Sequence, residues 1–406
     1  MKSFQDVELP RELLTNVQAM GFAEPTPIQA EAIPFAIAGR DILGSAQTGT
    51  GKTAAFGIPL AAKLLSHPKG KALIMTPTRE LAAQVMKEIM RIVGPKSNIR
   101  STLLVGGVSI FRQFSQLKKR PRIVVGTPGR INDHLERGTL KLHDASFLVL
   151  DETDRMLDMG FAPQVENILE HMREERQTLL FSATLPKNIV RIAKKYLRNP
   201  ESIAVSPSCS PASEITQENI SVKEGAKFTT LLDEVKSRDG SVIIFMRTKY
   251  STEKLATRLT KEGVSAQAIH GDLKQSRRDR VIGAFRKSKY RVLVATDVAA
   301  RGLDIPHIEH VINYDLPQCA EDYIHRIGRT ARAGATGCAL NLITSKDKGK
   351  WKSIERLLDP SKGADGLKRC DQTGKKHPKR RRNDKKNVVR LKKRNKKSSS
   401  KVRKAA

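Results

Sequence analysis

The sequence predicts an α/β protein with two tandem domains, each a mainly parallel sheet flanked by helices, followed by a disordered basic tail. Three observations support this prediction. Short apolar runs alternate with helix-like stretches in two long segments, a Ser- and Pro-rich stretch separates these segments, and charged residues replace apolar ones toward the C-terminus. A chain of 406 residues is long enough for two ordinary domains.

The apolar runs are the predicted strands. They are ALIMT, RIVVG, SFLVL and TLLFS in the first segment, then SVIIFM, RVLVA and HVINY in the second. Short runs that alternate with helical patterns are typical of βα units, whose strands lie parallel. After Arg79, Leu81, Val85, Ile89 and Ile92 recur every three or four residues, which predicts a helix with one apolar face against a sheet.

Composition sets the predicted domain boundaries, which are residues 1–205, a linker at 206–217, residues 218–360 and a tail at 361–406. The linker, SPSCSPASEITQ, is rich in Ser and Pro and lacks apolar periodicity. The tail holds 20 Lys or Arg against only Asp365, Asp371 and Asp384. Such a segment buries too little apolar surface to offset chain entropy, so we expect it to be disordered.

Charge favours a polyanionic partner. Lys and Arg outnumber Asp and Glu by 74 to 42, which gives a net charge of +32 and makes nucleic acid the first candidate. The four cysteines form no CxxC pair, so neither a zinc site nor a disulfide framework is indicated. No run approaches the length of a membrane helix, and the N-terminus does not resemble a signal peptide. We expect a soluble protein in a reducing compartment.

The stretch SAQTGTGKT, residues 45–53, has the pattern of a phosphate-binding loop between a strand and a helix. Glycine lets the backbone amides turn toward phosphate oxygens, Lys52 is expected to reach the β and γ phosphates, and Thr53 to bind magnesium. Ala46 replaces the first glycine of the general pattern. The alternative, a glycine-rich turn without function, is disfavoured by the Lys-Thr pair. The predicted nucleotide-binding residues here are Ala46, Gln47, Thr48, Gly49, Thr50, Gly51, Lys52 and Thr53.

The stretch DETD begins where the predicted strand SFLVL ends. Ligands of open α/β sheets bind at the carboxyl ends of the strands. This position predicts that Asp151 holds the magnesium ion and that Glu152 orients and deprotonates the attacking water. Capping of the following helix by Asp151 or Thr153 explains the same letters equally well, so DETD alone does not decide between the two.

The order of the motifs resembles that of the DEAD-box RNA helicases of superfamily two over residues 4–345. The first half shows GFAEPTPIQ, AQTGTGKT, PTREL, GG, TPGR, DETD and SAT; the second shows IIFMRT, HGDLKQSRR, ATDVAARGLDIP and HRIGRTARAG. This resemblance implies two RecA-like domains, ATP and Mg²⁺ as cofactors, and RNA as substrate. Thr153 replaces the usual Ala of the namesake motif, and we expect activity to be retained. The chain looks most similar to bacterial members such as the RhlE-like and SrmB-like helicases.

The resemblance also implies roles for residues around the nucleotide. Gln29 would read the adenine, supported by Thr26, and a side-chain amide suits adenine's amino group and ring nitrogen. Phe4 would stack on the base, although plain packing explains it as well. Asp304 would contact the ribose. Arg329 and Arg332 would be arginine fingers that stabilise charge on the transferring phosphoryl group.

Further roles concern coupling and RNA. Asp154, Ser182 and Thr184 would couple hydrolysis to unwinding, while His325 and Arg326 would link the finger loop back to the first domain. A merely basic surface is the less favoured alternative for HRIGRTAR. Glycine amides, small hydroxyls and arginine suit phosphate, so we expect sequence-independent backbone contacts. The predicted RNA contacts are Arg79, Gly106, Gly107, Thr127, Arg130, Arg247, Thr248, Gln275, Arg278 and Thr296.

Two alternatives concern the protein as a whole. The residues themselves do not distinguish RNA from DNA, so a DNA translocase is one rival, and an RNA chaperone that works through its tail is another. The tail is predicted to tether RNA, but a solubility segment or a nuclear address has the same composition.

We expect a cytoplasmic bacterial monomer that acts on ribosomal particles or with RNA-decay proteins. Aromatic residues make up only 4% of the chain, so we expect little base stacking.

Overall fold

The computed structural model describes residues 1–46, 49–185, 187–205, 215–300, 305, 308–331 and 336–359. These residues form two sheets, and every strand pair in both sheets is parallel. The predicted fold class is confirmed. We call residues 1–205 the first lobe and residues 215–359 the second lobe.

The sheet of the first lobe has the strand order β3-β4-β2-β5-β6-β1-β7. Its strands are β1 Ile42–Ser45, β2 Ala72–Met75, β3 Ser101–Leu104, β4 Ile123–Gly126, β5 Phe147–Leu150, β6 Gln177–Ser182 and β7 Glu201–Ala204. Central β5 is buried on both faces, with Phe147 and Val149 in one apolar cluster and Leu148 and Leu150 in the other. A strand whose side chains alternate between two covered faces is apolar throughout, as the run SFLVL predicted.

Helices cover both faces of this sheet. They are α1 Arg11–Ala19, α2 Pro27–Ile37, α3 Lys52–Ser66, α4 Arg79–Val93, α5 Ile110–Lys118, α6 Pro128–Glu136, α7 Thr153–Asp158, α8 Ala162–Glu170 and α9 Lys187–Tyr196, with a 3-10 turn at Phe4–Asp6. The predicted stripe of α4 is confirmed, because Leu81, Val85, Ile89 and Ile92 are all buried. Thr78 begins this helix, and its hydroxyl accepts a hydrogen bond from the Leu81 amide at 3.2 Å.

The sheet of the second lobe has the order β10-β11-β9-β12-β13-β8. Its strands are β8 Ile215–Ser221, β9 Val242–Met246, β10 Ala266–Ile269, β11 Val292–Thr296, β12 His310–Asn313 and β13 Gly337–Ile343. Its helices are α10 Lys227–Ser237, α11 Lys249–Lys261, α12 Gln275–Arg286, α13 Asp297–Ala300, α14 Ala320–Ile327 and α15 Lys348–Leu358. No helix in the described ranges is long and apolar enough to cross a membrane.

One predicted boundary needs correction. Residues 215–217, the last three of the predicted linker, begin β8 and pair with residues 337–339 of β13. Ile215 is buried there, while the next residues alternate in exposure because β8 is an edge strand. An edge strand tolerates polar residues, which is why ITQ looked like linker. The rest of that linker, residues 206–214, lies outside the described residues, as does the tail at 361–406.

Candidate nucleotide site and inter-lobe cleft

The predicted phosphate loop joins β1 to the N-terminus of α3. Gly51 precedes the helix with φ +90°, a conformation that side chains rarely adopt, and a Cβ there would lie 2.4 Å from Nε2 of Gln29. Lys52 is the first residue of α3, and its ammonium group donates to the Ala46 carbonyl at 2.9 Å. The lysine therefore crosses the loop whose amides are predicted to bind phosphate. Gln47 and Thr48, also predicted here, lie outside the described residues.

Gln29 is bonded to the same loop. Its Nε2 donates to the Gly51 carbonyl at 3.1 Å, and its Oε1 accepts from the Thr26 amide at 3.0 Å. The Thr26 hydroxyl in turn donates to the Thr50 carbonyl at 2.8 Å. A side-chain amide has two donors and two acceptor positions, so these bonds leave one of each for a base. The adenine-reading role stays a prediction, while fastening of the loop is a second role that the sequence did not reveal.

Phe4 fits its packing alternative. The ring is only 3% exposed and belongs to an apolar cluster of the first lobe. It stacks on Phe22, with ring centroids 6.2 Å apart and planes 29° apart. A ring buried to this degree stabilises the segment before α1, and base stacking by Phe4 stays a prediction.

The acidic pair lies at the carboxyl end of β5, and only β6 separates β5 from β1 in the sheet. Asp151 is buried, and burial raises the pKa of its carboxyl group, while the charge of Lys52 lowers it. A buried carboxylate of this kind is stabilised by a cation, and hard oxygen ligands such as Asp151 and the Thr53 hydroxyl suit magnesium. The residues present therefore fit the predicted ion. Groups of three or more His, Cys, Asp or Glu that could hold a metal ion are absent from the described residues.

Glu152 has an unusual backbone for a residue other than glycine. Its φ is +50° and its ψ +51°, in the left-handed region, and it directly precedes α7. Its amide donates to Oδ1 of Asp151 at 3.0 Å. Strained backbone conformations cluster at active sites, so the left-handed backbone of Glu152 fits a catalytic position. Neither a strand nor a helix has these backbone angles.

The structure joins the third acidic residue, Asp154, to the SAT segment. Oδ2 of Asp154 accepts hydrogen bonds from the amides of Ala183 and Thr184 and from the Thr184 hydroxyl, at 3.2, 3.0 and 3.1 Å. The Asp154 amide donates to the Ser182 hydroxyl at 3.3 Å. The carbonyl of Ser182 accepts from the Ala46 amide at 3.0 Å. A continuous polar network therefore runs from the predicted phosphate loop through SAT to the acidic motif.

Thr153, which replaces the usual alanine, is fully buried. Its hydroxyl lies 3.2 Å from the Phe181 carbonyl and 3.3 Å from the Leu150 carbonyl. The hydroxyl has one hydrogen, so its hydrogen bond is divided between the Phe181 carbonyl in β6 and the Leu150 carbonyl in β5. The substitution adds a link from the start of α7 to the strand that leads into SAT.

Arg326 corrects the predicted link to the first lobe. Its guanidinium group is bidentate on Asp297, with Nε to Oδ1 at 2.6 Å and Nη2 to Oδ2 at 2.8 Å, and Nη1 donates to Oδ1 of Asn313 at 2.9 Å. It also packs over the ring of Phe245. All these partners belong to the second lobe. Buried Asn313 and partly exposed Asp297 both bind this guanidinium group, so Arg326 stabilises its own lobe.

Arg329 and His325 lie together at the C-terminal end of α14. Nε of Arg329 donates to the His325 carbonyl at 3.1 Å, and both residues line a small cavity with Asp322 and Asp297. His325 is half-buried. The predicted second finger, Arg332, and the predicted ribose contact, Asp304, lie outside the described residues.

Arg155 and Asp322 make a contact between the lobes that the sequence did not predict, while the predicted link through His325 stays a prediction. Arg155 directly follows the DETD motif in α7, and its Nη1 donates to Oδ1 of Asp322 in α14. The side chains are 3% and 12% exposed. The ion pair therefore joins the helix of the acidic motif to the helix that precedes Arg329. No motif pointed to it, because a single Arg and a single Asp 167 positions apart carry no sequence signal.

A second polar contact joins the lobes at PTREL and α12. Glu80 forms an ion pair with Arg278 at 2.8 Å, and Nη1 of Arg79 lies 3.4 Å from Oε1 of Gln275. Arg278 also donates to the carbonyls of His270 and Ala299, at 3.1 and 3.3 Å. Arg278 is buried and its donors bind protein groups, and its contact with RNA stays a prediction. Gln275 likewise bonds to Arg79, Glu80 and Asp279.

Most first-lobe residues predicted to contact RNA lie around one cavity of about 380 Å³ between the lobes. Its wall includes Arg79, Gly106, Thr127, Arg130 and Arg278. Partial burial lowers the pKa of Arg79; Glu80 opposes this shift and Arg278 and Arg130 add to it. A cluster of cations whose charge is costly in this way is stabilised by an anion such as phosphate. A Cβ at Gly107, which has φ +75°, would lie 2.3 Å from Arg79, so a side chain there would displace the guanidinium group.

The other predicted RNA contacts of the second lobe lie apart from that cavity wall. Arg247 is exposed, and its amide donates to Asp315 at 2.9 Å. Thr248 caps α11, since its hydroxyl accepts from the Ser251 amide at 3.2 Å. Thr296 ends β11 and is buried. The structure therefore gathers one part of the predicted set around a cavity, while Arg247, Thr248 and Thr296 of the second lobe lie outside its wall.

Comparison with known proteins identifies two family matches. Residues 26–192 match the family described as DEAD/DEAH box helicase, and residues 226–334 match the helicase conserved C-terminal domain. A DEAD-box ATP-dependent RNA helicase CshA of Geobacillus kaustophilus is 47% identical over 360 residues, covering 88% of this chain and 76% of its own length. The CshA of Bacillus subtilis is 46% identical over 357 residues, with coverage of 87% and 72%.

Solved structures share the arrangement of both lobes. Dbp5 of S. cerevisiae bound to RNA and ADP BeF3 has a TM-score of 0.78 and 32% identity, covering 88% of this chain and 94% of that one. Mss116p bound to ssRNA and AMP-PNP has a TM-score of 0.79 and 30% identity, with coverage of 87% and 76%. The Dbp5 structure contains RNA and ADP BeF3, and the Mss116p structure contains single-stranded RNA and AMP-PNP.

Proposed function

This chain belongs to the DEAD-box family of ATP-dependent RNA helicases, and from that premise we propose that it opens short RNA duplexes or remodels RNA–protein particles in ribosome assembly or RNA decay. ATP is its nucleotide and Mg²⁺ the usual partner ion of the family. We further propose that it acts in the bacterial cytoplasm as a monomer.

The observation that carries this proposal is the arrangement of polar groups at one edge of the first sheet. Lys52 follows β1, Asp151 and Glu152 follow β5, and Ser182 ends the strand between them. Carboxyl ends of adjacent parallel strands converge, so a triphosphate on the loop lies beside the acidic pair. The charge of Lys52 already acts on Asp151 in this arrangement.

The proposed roles follow from that geometry. Lys52 and the amides at the start of α3 bind the phosphates, and Thr53 and Asp151 would hold the magnesium ion, which neutralises charge on the phosphate oxygens. Glu152 orients the attacking water and accepts its proton. Arg329 and Arg332 of the second lobe stabilise the charge that develops on the transferring group.

RNA binding and hydrolysis are coupled through the same lobes. The cationic cavity of Arg79 and Arg130 lies between the lobes, while Arg247 and Thr248 extend the proposed phosphate contacts over the second lobe. Asp154 relays the state of the nucleotide to SAT through three hydrogen bonds. Each ligand that favours the joined lobes therefore strengthens the binding of the other.

The decisive experiment compares stimulation of ATP hydrolysis by RNA and DNA strands of identical sequence and length. We expect RNA to stimulate ATP hydrolysis strongly and DNA to stimulate it weakly. DNA lacks the 2′-hydroxyl groups through which a protein distinguishes RNA from DNA. Equal stimulation by DNA would overturn the substrate assignment. Sedimentation of the tagged protein with ribosomal particles, with and without RNase treatment, tests the proposed cellular role, which is contradicted if the protein stays at the top of the gradient.

A further inference from the structure

Exposed apolar side chains concentrate beside the proposed RNA contacts. Six large apolar side chains are exposed in the described part of the chain, namely Phe35, Val108, Phe111, Tyr250, Val298 and Leu357. Four of these six lie one to four positions from Gly107, Thr248 or Thr296 in the sequence. Val298 lies on the wall of the cationic cavity itself. The two most exposed are aromatic: Phe111 is 75% exposed and Tyr250 is 77% exposed.

Phe111 is exposed but held in place. It lies in the first turn of α5, four residues after Gly107, and its ring meets Phe114 edge-on with centroids 5.9 Å apart. Phe114 packs edge-on against the buried ring of His134, with centroids 5.4 Å apart. Gln113, bonded to His134, donates to the Val105 carbonyl at 2.9 Å and so ties α5 to the segment before the glycine pair. These contacts hold the helix that carries Phe111 against the segment that leads to Gly106 and Gly107.

Tyr250 has the corresponding position in the second lobe. It lies in the first turn of α11, two residues after Thr248 and three after Arg247. The cap fixes that turn, because the Thr248 hydroxyl accepts from the Ser251 amide and the Thr252 hydroxyl donates to the Thr248 carbonyl at 2.7 Å. Each lobe thus places one exposed aromatic ring at the start of the helix that follows a proposed phosphate contact.

The surroundings of these rings favour RNA as the occupant. Because the protein does not cover either ring, each has an apolar face open to a base. Protein partners typically cover contiguous apolar patches, whereas Phe111 and Tyr250 lie in different lobes, each next in sequence to a cation, Arg112 and Lys249. Alternating cations and isolated rings match the alternating phosphates and bases of a single strand.

We propose that Phe111 and Tyr250 stack on nucleobases of the bound strand, at either side of the phosphate contacts. The proposal rests on the RNA contacts of the proposed function and adds to them a base-dependent part. Every base has a π-face, so this contact favours bases over bare backbone without reading sequence. The low aromatic content predicts little base stacking overall. Two rings, one in each lobe, are compatible with that prediction and still add a base contact on each side.

The test measures affinity for an oligoadenylate RNA of roughly ten nucleotides and for an abasic RNA of the same length, a size within the range of single-strand sites. Fluorescence anisotropy with a non-hydrolysable ATP analogue present gives both constants. We expect Phe111→Ala and Tyr250→Ala each to weaken oligoadenylate binding by about tenfold, because one base stack is lost. Binding of the abasic strand should be unchanged. Tyr250→Phe keeps the ring and should bind like wild type, and Phe35→Ala is the matched exposed-aromatic control.

Salt dependence separates stacking from phosphate contacts. Loss of a ring should leave the slope of log affinity against log salt unchanged. Arg79→Ala should reduce the size of this slope by about one for both strands, because one phosphate contact is lost. The proposal is overturned if the alanine variants bind oligoadenylate as wild type does, or if they lose affinity equally for the abasic strand. Wild-type protein that binds neither strand would instead reject the RNA contacts of the proposed function. Thermal unfolding at the wild-type temperature confirms that the variants are folded.

Discussion

Glu152 is the residue whose backbone and chemistry are most closely connected. Its backbone is left-handed, and its amide donates to Oδ1 of Asp151 at the end of β5. Gln is isosteric and adopts this backbone as readily as Glu, so Glu152→Gln should remove the base without changing the fold. We expect binding of ATP and RNA to persist while phosphate release falls by about 10²–10⁴-fold, the usual contribution of a general base. Single-turnover phosphate release and equilibrium binding measure the two effects, and release near the wild-type rate would reject the role.

Thr153 gives a prediction about stability. Its buried hydroxyl is bonded to the carbonyls of Phe181 and Leu150, so Thr153→Val keeps the volume and removes the hydrogen bond. We expect the free energy of unfolding to fall by about 1 kcal/mol, and more if either carbonyl is left without a partner. ATPase activity should be retained, because Asp151 and Glu152 are not bonded to this hydroxyl. Urea unfolding checks the change; Thr153→Ser is the control that keeps the bond.

The sequence predicted residues that lie in motifs and missed residues that act in isolation. Lys52, Asp151 and Asp154 were predicted because their neighbours along the chain restrict their chemistry. Arg326 was assigned to the wrong partner, since the motif gives its presence but not the direction of its side chain. Asp297, which binds it, is distant in sequence and becomes a neighbour only when α13 and α14 pack in the same lobe.

The helices α7 and α14 meet through Arg155 and Asp322. Removing one member of a buried ion pair leaves the other charge without its counter-ion. We expect Arg155→Ala to lower the maximal RNA-stimulated ATPase rate roughly tenfold with little change in ATP binding, because the pair joins the lobes and positions α14. Asp322→Ala should act similarly.

Charge exchange is the control for this pair. The double variant Arg155→Asp, Asp322→Arg restores the pair with its sign reversed, and we expect it to recover part of the rate lost by either single exchange. If the loss of rate in the double variant equals the product of the losses in the two single variants, the two helices are not coupled through this pair. Arg173→Ala, which removes a solvent-exposed ion pair with Glu175, serves as the surface comparison and should leave the rate unchanged.

At the level of strands, the sequence predicted the centre of each sheet better than its edges. All seven apolar runs became strands, and the four edge strands β3, β7, β8 and β10 were not among them. Edge strands bury one side only, so STLL, ESIA and AQAI carry mixed patterns that resemble loops. Inner β13 was also missed, because Asn341 within it is buried by hydrogen bonds to Asn219 and Tyr323 rather than by apolar packing.

The two polar contacts between lobes predict reciprocal binding in the whole molecule. A ligand that favours the joined lobes should raise the affinity for the other ligand by the same factor, typically 5- to 150-fold. We expect an ATP analogue to tighten RNA binding, RNA to tighten analogue binding equally, and Glu80→Gln to reduce both factors because Arg278 loses its ionised partner. Titration of each ligand with and without the other measures these factors. A factor of one in wild-type protein contradicts coupling through the lobes.

The tail supplies much of the positive charge of the whole chain. Residues 361–406 hold 20 cationic side chains against three acidic ones, so their deletion removes a large part of the net charge of +32. We expect the truncated protein to keep its maximal RNA-stimulated ATPase rate and to need more RNA to reach half of it. The difference should be largest at low salt and vanish at high salt, since counterion release drives the attraction. A tail of equal length with Lys and Arg replaced by Gln separates charge from chain length. Loss of RNA-annealing activity in the truncated protein would favour the chaperone alternative, while unchanged RNA affinity and salt slope would contradict tethering.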